Sequence, residues 1–169
     1  VATFQQTLKE LRRETRSTTN VLTNLGGIFQ IMAQLKTRDV AFYPKIETHI
    51  TKVFRDGTAY VQVYQLLRGV LHFLQNNKKP ALAILSANYA DSFPLVHFFL
   101  YLCQFWVDET LIDREKLATY HDELVRNGYT WLATEMLVLR AELDPSDSDL
   151  QAESDRQMAA LRIEPLVRL

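Results

Sequence analysis

The sequence is poor in the residues that break or staple a chain: five glycines, five prolines and one cysteine among 169 residues. So few turn-formers exclude an all-β fold built on many tight turns. The lone Cys103 cannot form an internal disulfide, and a free thiol inside an apolar stretch behaves as a small core hydrophobe, consistent with a reducing cytosol. No run reaches the roughly 20 apolar residues of a membrane span. The opening VATFQQTLKELRRETR is too charged for a signal peptide, so a cytoplasmic chain without a membrane partner is expected. A formal net charge of −1 lacks the basic excess that draws proteins to nucleic acid, leaving such contact only through a longer parent protein. Val1 in place of methionine fits excision from a longer polypeptide as well as removal of an initiator.

Catalytic signatures are missing too. A phosphate-binding loop needs Lys-Ser or Lys-Thr after its glycines, but Gly26-Gly27 runs into Ile28-Phe29-Gln30. There is no GxSxG elbow, paired CxxC or HExxH, and Glu47-Thr48-His49 is too generic for a metal site. Asp144, Asp147, Asp149 and Glu153 lack the turn glycine of an EF-hand loop and read as caps of a final helix. No catalytic residue, metal or cofactor is therefore expected.

What is present is apolar and helical in period. Hydrophobic residues make up 47% and charged residues 23%, enough for a single domain burying about two thirds of its unfolded surface. Phe93 to Val107, FPLVHFFLYLCQFWV, has only His97 and Gln104 as polar interruptions after Pro94. It has no polar stripe to face water, so the spacing predicts a helix enclosed on all sides. Around it come an amphipathic helix over 3–15 with Phe4, Leu8 and Leu11 on one face, a helix or helix pair through Gly26-Gly27, and a helix begun by Pro44 and stopped at Asp56-Gly57. Another ends at Asn76-Asn77 and a short one opens at Lys79-Pro80. After the central run, one stops at Asn127-Gly128, a strongly apolar one spans Tyr129 to Leu143, and a polar one ends near Leu161.

Asn20, Asp56-Gly57, Asp91-Ser92 and Asn127-Gly128 recur 35 or 36 residues apart. Each interval holds one longer, apolar helix and one shorter or more polar partner, the pattern of stacked hairpins. The expected fold is all-α, with antiparallel helical hairpins stacked as a short TPR-like α-solenoid. A cap helix over 1–16 precedes units at about 20–55, 56–90, 91–126 and 127–161. An irregular single-core bundle with fortuitous spacing is the alternative. The ends differ in charge, with Lys9, Arg12, Arg13 and Arg16 near the start and an acidic stretch after residue 141; pairing of opposite ends with a neighbour and two solvated capping helices are the alternative readings.

Gly69 and Ala81 stand twelve apart, like the small residues through which paired tetratricopeptide-repeat helices approach, and Ala152 follows Arg140 by twelve. AYVQVYQLLRG at Ala59 to Gly69 and NGYTWLATEM at Asn127 to Met136 resemble the helical-repeat region preceding the motor in bacterial Swi/Snf-type helicase-like ATPases, over about Ile28 to Leu143. The resemblance implies an accessory or regulatory module of an ATP-dependent translocase, without the motor itself.

His97, Tyr101 and Gln104 share a helical face at spacings of four and three. With Gln65, Arg68 and His72, they are the candidate lining of a groove for a partner peptide; a core histidine bonded to a neighbouring helix is the competing reading of His97. Trp106 and Trp131 read as core, although a solvent-facing tryptophan could anchor a partner. The expected function is a non-catalytic interaction or regulatory module, its partner a protein, a peptide or a motor domain in the same polypeptide. A stand-alone adaptor and a helical enzyme holding a small molecule near His72 and His97 are the alternatives.

Overall fold

Pro94 and Asp108 frame the apolar run. In the computed structural model, which describes residues 26–56, 60–89, 92–161 and 166, the run is a helix over Pro94–Val107, with proline in its first turn and Asp108 already extended. The described residues are helical at 26–37 (α1), Tyr43–Asp56 (α2), Val61–Leu74 (α3), Lys78–Leu85 (α4), Pro94–Val107 (α5), Arg114–Arg126 (α6), Thr130–Leu143 (α7) and Ser148–Leu161 (α8). Short 3-10 turns occupy Val40–Phe42 and Glu109–Leu111. No strand occurs among the described residues, so the fold is all-α. None of their helices is long and apolar enough to cross a membrane. The helix expected over 3–15 and the breaks at Asn20, Gly57 and Asp91 lie outside the described residues.

The helix ends follow local chemistry. Aspartate carboxylates take orphan amides before the 3-10 turns and α6: Asp39 from Ala41, Asp108 from Thr110, Asp113 from Lys116. Asp147 takes the amides of Asp149 and Leu150 at the start of α8, so the acidic stretch does cap a helix. Each such cap is worth about 1 kcal/mol. Gly128 (φ +77) and Asn76 (φ +63) leave α6 and α3 through the left-handed region that these residue types tolerate. Arg38 leaves α1 the same way at φ +54, and for a side chain of its kind that costs about 1 kcal/mol.

Cross-helix contacts set the pairings. Glu47 meets Arg68 and His49 stacks on Tyr64, a decreasing-against-increasing register that makes α2 and α3 antiparallel. Thr134 with Gln157 and Ala141 with Gln151 do the same for α7 and α8. The pairs α3 with α4 and α6 with α7 are joined by short turns and packed together. Helix α3 also packs on α5, and α5 on α7. At the first of these contacts Tyr60, just before α3, meets Phe93, just before α5, edge to face at 6.2 Å, and Gln62 Nε2 donates to Ser92 Oγ at 3.0 Å. Those two helices therefore start side by side. Trp131 in the first turn of α7 lies 6.0 Å from Phe98 of α5.

Small residues permit the closest approaches. A Cβ on Gly69 would sit 3.1 Å from Ile84 and 3.2 Å from Leu85, and one on Gly27 would sit 2.6 Å from the Tyr64 hydroxyl, whereas one on Gly26 would meet none of the described residues within 4 Å. Ala81 is fully buried in α4. The core runs from Ile28 of α1 through Tyr64, Leu67, Phe98, Phe99 and Met136 to Leu166. Within it α7 is enclosed more completely than α5: every residue from Leu132 to Leu139 is buried, Thr134 and Glu135 included.

Candidate functional site

The six groove candidates are distributed among the seams between helices. His97 is half-buried and lies 4.9 Å, ring to ring, from Tyr120 of α6, and the buried Tyr101 lies 6.4 Å from the same ring. The Tyr120 hydroxyl donates to the Pro94 carbonyl at 3.1 Å, and burial raises its pKa, so it stays a neutral donor. Gln104 turns to the opposite seam, where its Nε2 donates to the Leu85 carbonyl at 2.8 Å. That carbonyl is among the last of α4, which have no partner inside their own helix. Arg68 Nη2 pairs with Glu47 at 2.7 Å, its guanidinium 5.7 Å from the Phe54 ring. His72 and Gln65 are half-buried on α3, and His72 Nδ1 has no hydrogen-bond partner among the described residues. Tyr120 brings His97 and Tyr101 together; Gln104 and Arg68 bond to other helices.

No cluster of three or more metal-ligating side chains occurs among the described residues. Glu47 is engaged by Arg68 and His49 by Tyr64. His121 Nδ1 lies 2.9 Å from Asp122 and 3.3 Å from Arg140. Cys103 is fully buried, and that burial pushes its thiol pKa far up, which keeps it protonated and a poor nucleophile.

Two features escaped the sequence reading. The first is Glu135, 1% exposed in the middle of α7. Its Oε2 accepts the amide of Leu166 at 2.9 Å, and the Trp131 side chain also hydrogen-bonds it. Burial raises its pKa to about 7 against the pull of both bonds.

The second is a set of aromatic residues at helix starts. The residues immediately before α3, α5 and α7 are Tyr60, Phe93 and Tyr129, and none gives its helix a side-chain cap. An aromatic ring cannot accept the first-turn amides as the aspartates before α6 and α8 do. Phe93 is 39% exposed, Tyr129 48% and Trp131 36%. Exposed rings beside uncapped backbone donors offer apolar contact and hydrogen-bond donors together. The signal was visible as an aromatic at each helix start, but a sequence does not say which starts lie together.

No protein-family model matches this sequence, and neither does any curated protein or solved structure.

Proposed function

We propose that the chain is a non-catalytic interaction module, a short TPR-like array of antiparallel hairpins in which α3, α5 and α7 form one row and α2, α4, α6 and α8 flank it. The supporting observation is the contact between Tyr60 and Phe93 at the starts of α3 and α5, because side-by-side starts of alternate helices are what repeated hairpins produce. In an irregular bundle nothing requires such a pairing.

The partner is a protein or peptide segment, or a motor domain in the same polypeptide, as in the helicase-like ATPases that the sequence resembles. It docks across the exposed edge at Phe93, Tyr129 and Trp131, because the earlier candidates Tyr101 and Gln104 are buried. Aromatic side chains are the usual anchors of such contacts.

Affinity capture with the immobilised chain tests this reading against a Phe93→Ser, Tyr129→Ser double variant. Those positions spare the Trp131 bond to Glu135. A partner retained by the wild type and lost from the variant, with circular dichroism and melting temperature kept, is the expected result. Equal capture by both refutes the edge as the docking surface.

A further inference from the structure

Trp131 stands in the first turn of α7 with 36% of its surface exposed, and its side chain hydrogen-bonds the carboxyl of Glu135, one turn further along and 1% exposed. A ring on the docking side is thus tied to an ionisable group inside the core. The other bond to that carboxyl comes from the amide of the buried Leu166. Carboxylates are almost never enclosed in this way without a paired charge.

Among the described residues no charged side chain acts on Glu135. Helices α5, α6 and α8 pack against α7. From α5, Phe98 meets Trp131, while His97 and Tyr101 lie beside Tyr120. On α6, His121 lies between Asp122 and Arg140, more than a turn of α7 beyond Glu135. On α8, Arg156 pairs with Glu153, and Gln157 and Gln151 bond Thr134 and the Ala141 carbonyl. The two N–H donors alone do not offset burial, which has raised the pKa to about 7. Ionisation therefore calls for water. The opening that admits it at least cost is a rotation of the Trp131 side chain, which moves no backbone and gives up the contact with Phe98.

We propose that Glu135 is a proton-dependent positioning residue for Trp131: its neutral acid keeps the indole folded onto Phe98, and its carboxylate releases the ring outward. Opening returns the carboxyl to water, where its pKa is the ordinary 4.5. The proton consequently favours the folded-in ring, and rising pH favours the released one. The change falls between about pH 4.5 and 7 and saturates above that. Its consequence for partner binding rests on the docking reading of this edge, whereas the switch itself is read without a partner.

Trp106→Phe leaves Trp131 as the one tryptophan of the full chain, so fluorescence reads that ring alone. Between about pH 4.5 and 8 its emission is expected to move to the red. Acrylamide quenching is expected to rise about twofold, as for a ring that starts 36% exposed, with far-UV circular dichroism unchanged. Glu135→Gln keeps an acceptor for both N–H groups and does not ionise, so it is expected to hold the low-pH values throughout. Should Trp106→Phe unfold, 5-fluorotryptophan in the otherwise unaltered chain, assigned with Trp131→Phe, reports the same exposure through its 19F solvent isotope shift. Exposure that does not change with pH, a change that survives in Glu135→Gln, or one that parallels loss of circular dichroism overturns the proposal. The Trp131 transition without capture of a partner at any pH supports the switch and refutes the docking reading.

Discussion

The carboxylate of Glu135 accepts the backbone amide of Leu166 across 31 positions of sequence, at 2.9 Å and out of contact with water. Leu166, beyond α8, is thereby attached to the middle of α7 through an ionisable group whose pKa stands at about 7 instead of 4.5.

The folded protein consequently holds the Glu135 proton over a pH range in which the unfolded chain has released it. This contribution to stability is fully present below about pH 4.5, declines as pH rises and is lost above about pH 7. Its size is on the order of 3 kcal/mol. Thermal melts between pH 5 and 8 should show a falling midpoint in the wild type, with a much flatter dependence in Glu135→Gln. Exposed Asp108 and Asp113, whose pKa values are lowered chiefly by hydrogen bonds to Thr110 and Lys116 respectively, act only at lower pH, where protonation removes their contribution.

Gln104→Leu should destabilise the protein by about 1–2 kcal/mol, because the Leu85 carbonyl loses its buried donor. The loss is less than the full penalty, since Gln104 Oε1 is itself without a hydrogen-bond partner among the described residues and leucine removes it. Chemical denaturation should register the change as a lower midpoint at unchanged slope.

Two glycine substitutions should have opposite signs. Gly69→Ala places a methyl 3.1–3.2 Å from Ile84 and Leu85, and overpacking of about 1–3 kcal/mol outweighs the better helix propensity. Gly26→Ala meets nothing within 4 Å among the described residues and should stabilise by about 0.5–1 kcal/mol. Paired denaturation curves check both.

Cys103 should resist a thiol reagent such as iodoacetamide in the native protein and react fully in denaturant, because its thiol is enclosed and held protonated. Modification at a rate comparable to a free thiol would mean that α5 opens readily.

Much of the helical plan was legible because it is written locally. Pro94, the apolar run after it and Asp108 define α5 without reference to any other segment, and Asn76 and Gly128 mark stops through their backbone tolerance. The close packing expected of Gly69 appears against Leu85. What could not be read was which helix each polar side chain would meet. His97 and Gln104 share a face by spacing, yet one lies beside Tyr120 of α6 and the other bonds to the end of α4. Glu135 gave no sign of burial, because its partner Leu166 comes from beyond α8. Trp131, expected in the core, keeps one side on Phe98 and leaves 36% of its surface exposed.

The uncapped starts of α3, α5 and α7 also have an electrostatic consequence. Each helix carries a macrodipole equivalent to roughly half a positive charge at its N-terminus, and α3 and α5 begin side by side with no side-chain cap on either. At that part of the aromatic edge the backbone therefore contributes a partial positive charge, in a chain of formal net charge −1. An acidic segment approaching Phe93 would be favoured over a basic one, and added salt would weaken that preference without any lysine or arginine taking part.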